Sequence, residues 1–150
     1  MPDMISNGPT WVVLADGRKA RILEEPRRGA DLAQIAELSL SEEERYQPQD
    51  RPTVVHDSGG SGRHGTAART SLHEQEEENF LDRLTQRIEE GAKRGANETL
   101  VLIADPRALG YLRGHLGAPV QGKIAHTLDK NVVSETIDAI KDRLRALRLP

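Results

Sequence analysis

The chain has 150 residues and a formal net charge of −3, which fits about one domain and excludes a surface that is positive all over. Hydrophobic residues make up 36% and aromatic residues only 3% of the sequence, so aliphatic side chains packed between a sheet and helices are favoured over an aromatic-rich β sandwich. The lack of cysteine excludes disulfides, thiol nucleophiles and cysteine-bound zinc.

The first nine residues lack the basic start and the apolar run of a leader peptide, and we expect them to form a flexible N-terminus. No later segment approaches the ~20 apolar residues that a membrane span needs. The sequence therefore predicts a cytoplasmic protein that does not associate with membranes.

A hairpin and a third strand are predicted next. Residues 10–15 form a β-branched and aromatic run, Asp16 and Gly17 follow, and a second run covers residues 19–24. Asp-Gly between apolar runs favours a type I′ turn, which has positive φ at both central positions, and therefore predicts an antiparallel hairpin. Residues 26–29 form the next turn. The third strand is predicted from apolar residues that share one face at period two: Leu32, Ala36, Leu38 and Leu40.

Residues 41–70 are rich in charge, proline and glycine and show no periodicity. A segment of this length without regular structure is uncommon in a compact domain and is typically functional or disordered. We predict a long mobile loop here.

A long first helix follows the loop. Ser71 and Glu74 form a capping-box pattern that predicts its start, and Gly95 is placed to end it. The inward stripe of this helix consists of apolar residues at helical spacing: Phe80, Leu81, Leu84 and Ile88.

Residues 99–104 are continuously apolar, as expected for a strand that is covered on both faces. Asp105 as N-cap and Pro106 at the first helical position predict a second helix, which ends near Gly117. Residues 121–128 predict a fifth strand.

The last helix is predicted to be capped by Asn131 or Ser134. Its apolar residues are spaced four, three, four and three apart: Val133, Ile137, Ile140, Leu144 and Leu147. Together these elements predict a single-domain α/β fold, with a mixed five-stranded sheet, three helices and a long glycine-rich loop before the first helix.

The glycine-rich loop has the composition of a binding site rather than that of a plain linker. Its glycines allow the backbone to approach a ligand closely, and the arginines and histidine interleaved with them are side chains that contact phosphates. We predict an RNA-binding or partner-binding site formed by Arg51, Gly59, Gly60, Ser61, Gly62, Arg63, His64 and Arg69.

Four blocks of the sequence resemble the bacterial "protein required for attachment to host cells" family. In chain order they are residues 11–23 (WVVLADGRKARIL), 50–52 (DRP), 57–64 (DSGGSGRH) and 100–113 (LVLIADPRALGYLR). That family is similar to the central domain of archaeal and eukaryotic class-1 release factors and of Pelota. The resemblance implies a ribonuclease H-like sheet with strand order 3-2-1-4-5.

The resemblance also implies a role for the glycine loop. In release factors a Gly-Gly-Gln loop between the third strand and the long first helix reaches the site where peptidyl-tRNA is hydrolysed. Gly59 and Gly60 stand at the corresponding place, and Ser61 stands where the glutamine would be. A serine hydroxyl is shorter and aimed differently from a glutamine amide. The implied function is therefore a binding module for the ribosome or tRNA, with Ser61 and His64 as the candidates for any catalytic role and with no cofactor.

Three alternatives remain. A metal-dependent nuclease would use Asp16 and Asp105, which follow neighbouring strands where carboxylates can hold Mg²⁺. A hydrolase would use Asp57, Ser61 and His64, although a glycine loop lacks the rigid elbow such a site needs. The third alternative is a non-enzymatic protein that acts in attachment to host cells through a protein partner. Such a protein would bind neither a metal nor a nucleic acid.

Overall fold

The computed structural model describes residues 7–40 and 65–150, with the side chains of residues 65–70 left out. Most of the predicted 41–70 loop lies outside the described residues. So do seven of the eight predicted site residues: Arg51, Gly59, Gly60, Ser61, Gly62, Arg63 and His64.

A mixed five-stranded sheet forms the centre of the fold, in the predicted order β3-β2-β1-β4-β5. The strands are β1 Thr10–Ala15, β2 Lys19–Glu25, β3 Ala33–Ser39, β4 Thr99–Ala104 and β5 Ile124–Asp129. β2 pairs antiparallel with β1 and β3, whereas β4 pairs parallel with β1 and β5. The predicted meander followed by parallel crossovers is therefore confirmed.

Four helices lie in the described part of the chain, one more than predicted. They are α1 Gly65–Lys93, α2 Pro106–His115, α3 Ala118–Gln121 and α4 Ile137–Leu147. The extra helix, α3, is a single turn in the segment before β5, with a proline at its start. Such a turn is too short to show hydrophobic periodicity, so the sequence pattern missed it.

The helix α1 begins ahead of the predicted capping box. Ser71 lies inside the helix rather than at its cap, because no glycine or proline separates it from Gly65 and the intervening residues include the strong helix formers Ala67 and Ala68. At the other end the prediction holds. Gly95 has φ +75°, and the backbone N–H groups of Gly95 and Ala96 donate to carbonyls of the last turn, as in a Schellman motif.

The hairpin between β1 and β2 is confirmed, but the predicted type I′ turn is wrong. Among the described residues positive φ occurs only at Gly29 and Gly95, so neither Asp16 nor Gly17 has it. Instead, the Asp16 carboxylate accepts hydrogen bonds from the backbone N–H groups of Arg18 and Lys19 at 2.8 and 2.9 Å. A side chain, rather than left-handed backbone, holds this turn.

Two other local predictions are corrected. The strand β3 contains a bulge at Ile35, because Ala36 pairs with Ile22 and Gln34 pairs with Leu23. The bulge puts Leu32 on the opposite face of the sheet from the apolar residues that follow it.

The cap of α4 is Thr136, whose hydroxyl accepts a hydrogen bond from Ala139 N–H at 3.1 Å. Neither Asn131 nor Ser134 caps this helix. The Asn131 side chain instead accepts from Val133 N–H at 3.2 Å within the preceding turn.

The core lies on both faces of the sheet. On one face Leu100 and Leu102 pack with the buried residues of α1 and α2, and on the other Val101 and Ile103 pack with those of α4. This explains why β4 is continuously apolar, since a central strand with a helical layer on each side has no solvent face.

Candidate nucleic-acid interface

The helix α1 is much longer than the sheet against which it packs. Its 29 residues span about 44 Å, whereas a six-residue strand spans about 20 Å. Among the side chains of α1 that the structure describes, from residue 71 onward, the first buried one is Phe80, and residues 71–75 are all exposed. None of the described side chains before Phe80 is therefore buried in the fold.

The direction of α1 shows which ends of the strands it passes. The helix ends at Lys93, shortly before β4 begins at Thr99, so the carboxyl end of α1 lies near the amino ends of β1 and β4. Its amino-terminal part therefore lies toward the carboxyl ends of these two strands. There Glu77 lies against the β1–β2 turn: a Cβ added to Gly17 would be 3.0 Å from the Glu77 carboxyl carbon. Residues 65–76 thus extend about 18 Å past that edge.

An ion pair fixes α1 at the point where it crosses the edge. Arg107, in the first turn of α2, lies 3.2 Å from the Glu77 carboxylate, and Glu77 is only about one-fifth exposed. This contact and the neighbouring Gly17 hold one turn of α1 between the first turn of α2 and the β1–β2 turn. The segment beyond it has no described buried residue.

The predicted loop enters the helix at this projecting end. Arg69 lies in the projecting part of α1, and the other predicted binding residues directly precede Gly65 in the chain. The sequence did not predict that α1 begins as early as Gly65, because the capping-box pattern placed the helix start too late.

Asp16 and Asp105 both lie at the carboxyl edge, as the nuclease alternative requires, but each has structural partners. Besides its two backbone contacts, Asp16 accepts a hydrogen bond from the Asn131 amide at 3.2 Å. Asp105 caps α2 by accepting from Ala108 N–H at 2.9 Å. Within the described ranges, no group of three or more His, Asp or Glu side chains is placed to hold a metal ion.

His126, in β5, is half-buried. Burial lowers its pKa, and the nearby positive charges of Arg148 and Arg28 lower it further. It is thus disfavoured as a cation at neutral pH and lies away from the projecting end of α1.

The fold is of the class found in translation termination factors. A solved archaeal translation termination factor superposes with a TM-score of 0.51 at 13% sequence identity, over 96% of this chain and 40% of the factor. At this identity the likeness concerns the fold, and the chain spans less than half of the factor's length.

The sequence profile of the family "Protein required for attachment to host cells" matches residues 11–144, so the chain belongs to that family. No curated protein matches the sequence. Among the helices of the described residues, none is long and apolar enough to cross a membrane.

Proposed function

We propose that this protein is a release-factor-like binding module that contacts RNA of the ribosome or a tRNA through its glycine loop and the projecting end of α1. The observation that carries the proposal is the length of α1 beyond the sheet edge. A helix held at one end by a clamped turn can present a loop at a distance from its globular body. The fold shared with a translation termination factor supports the same use.

The chemistry of the loop favours phosphate contacts. Arg51, Arg63 and Arg69 carry guanidinium groups that bind phosphate through two parallel hydrogen bonds, and the glycines let backbone N–H groups approach the same oxygens. The net charge of −3 implies that this attraction is local, so binding is confined to this end of the molecule.

Binding is proposed without efficient peptidyl-tRNA hydrolysis. Hydrolysis requires a water held within hydrogen-bond reach of the ester, and misplacement by about 1 Å can lower the rate about 100-fold. Ser61 offers a hydroxyl on a one-carbon stem in place of the longer amide. His64 is the other candidate for a catalytic role, because its imidazole can accept a proton from water.

The first experiment measures affinity for tRNA and for ribosomes over a range of salt concentrations. Each phosphate contact contributes about one unit to the slope of log affinity against log salt. We expect the double variant Arg63→Ala/Arg69→Ala to bind more weakly and to lower the slope by about two units. The matched control is Lys93→Ala/Arg94→Ala, which removes the same charge from exposed positions at the other end of α1 and should bind like the native protein.

Peptide release tests the catalytic part of the proposal. Ser61→Ala should leave RNA affinity nearly unchanged, and the native protein should release little peptide from peptidyl-tRNA on ribosomes. Ser61→Gln restores a Gly-Gly-Gln sequence and is the variant expected to gain release activity. Strong release by the native protein that is lost in Ser61→Ala or His64→Ala would instead make it an enzyme.

Family membership favours a second candidate, a protein-interaction factor that affects attachment to host cells. This candidate predicts affinity for a protein partner that varies little with salt, together with no binding to tRNA or ribosomes. The salt titration therefore separates the two functions in one experiment.

A further inference from the structure

A pocket of about 260 Å³ lies between the turn after β2 and the last two turns of α4. It is at the amino-terminal edge of β1, since Glu25 pairs with Thr10, and so at the opposite edge from the projecting end of α1. The proposed RNA-binding function therefore makes no use of it.

The floor of the pocket is apolar and its rim is cationic. Leu32 and Leu144 are almost fully buried and form the floor, while Leu149 at the mouth is 67% exposed. Lys141 and Arg145, one helical turn apart on α4, form part of the rim. A cavity of about 150 Å³ lined by such side chains holds benzene, so this one has room for a larger apolar group.

Among the described residues, Glu25 is the only carboxylate that lines the pocket, and it is already paired. Glu25 is 3% exposed and accepts two hydrogen bonds from the Arg148 guanidinium, at 2.8 and 3.0 Å, and one from Gly29 N–H at 3.1 Å. Burial alone would raise the pKa of Glu25, but these bonds and the charges of Arg148 and Arg28 lower it, so the carboxylate stays ionised and paired.

The remaining cations are held only weakly by their own partners. Lys141 lies 3.6 Å from Asp31 and Arg145 lies 3.5 Å from Asp142, and both aspartates are highly exposed. Exposed pairs of this kind contribute little to stability, so both cations can turn toward a ligand. Arg145, in the last turn of α4, also matches the negative end of the helix dipole, but that interaction does not require an apolar floor beside it.

From this arrangement we propose that the pocket binds a small aliphatic anion, with the hydrocarbon part on Leu32 and Leu144 and the anionic group between Lys141 and Arg145. The pocket volume is close to the lower end of the range for ligand sites, which fits a ligand with one short hydrocarbon chain. Charge complementarity selects an anion over a neutral or cationic amphiphile of the same length.

The test titrates the ¹⁵N-labelled protein with octanoate and octyl phosphate, using octanol and octylamine as neutral and cationic probes. We expect saturable shifts confined to residues 25–32 and 141–149 with the two anions, and weaker binding of the other two. The tighter of the two anions identifies the head group. Equal affinity for octanol, or no saturable binding of either anion, would overturn the proposal.

Three variants locate the site. Ala30→Phe places a ring in the pocket while its backbone N–H can still donate to the Arg27 carbonyl, and it should abolish binding. Each exposed ion pair changes affinity by up to about fivefold. Lys141→Ala/Arg145→Ala removes both cations, so it should weaken octanoate binding about tenfold and leave octanol binding unchanged.

Lys93→Ala/Arg94→Ala is the charge-matched control and should bind octanoate like the native protein. Circular dichroism and thermal melts establish that each variant is folded. Native-like octanoate binding by folded Ala30→Phe would contradict the assignment of the site.

Discussion

The contact between Gly91 and Trp11 allows the packing of α1 to be tested against helix propensity. Gly91 is buried in α1, and a Cβ added there would overlap the Trp11 ring and lie 2.9 Å from the Asn97 amide nitrogen. Trp11 is 2% exposed and Asn97 is fully buried, so neither side chain can move aside into solvent.

Two opposing effects determine the stability of Gly91→Ala. Replacing glycine by alanine inside a helix stabilises by about 1 kcal/mol, whereas overpacking a well-filled core costs about 1–3 kcal/mol. We therefore expect a net loss of up to about 2 kcal/mol. For a chain of this size that corresponds to a fall in Tm of up to about 8 °C.

The matched control is Gly110→Ala in α2. Gly110 is exposed, and nothing lies within 4 Å of the position that its Cβ would take. Only the propensity effect remains, so this variant should gain about 0.5–1 kcal/mol. Urea and thermal unfolding of both variants measure the contrast. A Gly91→Ala protein as stable as Gly110→Ala would refute the packing argument.

Two further predictions concern the ends of α4. Arg148→Met leaves the buried Glu25 carboxylate without its cation and should cost about 3 kcal/mol at pH 7, measured by urea unfolding. Because the folded-state pKa of Glu25 lies below its ordinary value of 4.5, the stability that this group contributes is present above about pH 4.5 and is lost as the pH falls through the folded pKa. The gap between native and variant should therefore narrow in acid, and a gap independent of pH would contradict the pairing. At the other end, Thr136→Ala removes the cap and should cost about 1 kcal/mol, whereas Ser134→Ala should cost almost nothing; equal losses in thermal melts would refute the cap assignment.

The sheet could be predicted because its signals are local and repeated. The continuously apolar run of residues 99–104 indicated a strand covered on both faces, and the hairpin followed from two apolar runs about Asp16 and Gly17. The strand order itself came from the family resemblance, and the topology confirms it.

The errors had both local and long-range causes. The turn at Asp16 is held by its carboxylate, which accepts from the N–H groups of Arg18 and Lys19, a local alternative to the type I′ turn; the Asn131 amide, 115 positions away along the chain, adds a further contact. The bulge at Ile35 depends on pairing with β2. Only the bulge required knowledge of neighbours that are distant in sequence.

The candidate sites also differ in how far the sequence alone predicts them. The glycine loop was predicted from composition alone, and both the loop and its binding residues remain predictions. The projection of α1 was not predicted, because it depends on where burial begins at Phe80 relative to the edge marked by Glu77. The pocket between the turn after β2 and α4 joins residues near Leu32 with residues near Leu144, so only the folded chain brings its lining together.

Photo-crosslinking from the projecting end of α1 tests the central claim most directly. A diazirine amino acid is placed at Leu72, which is 57% exposed on the projecting helix, and as a control at Leu149, which is 67% exposed at the opposite edge. After irradiation of cells that express each protein, we predict that position 72 captures ribosomal RNA or tRNA and that position 149 does not. Capture of RNA equally from both positions, or of only non-ribosomal proteins from position 72, would contradict the proposed RNA-binding role of this end of the molecule.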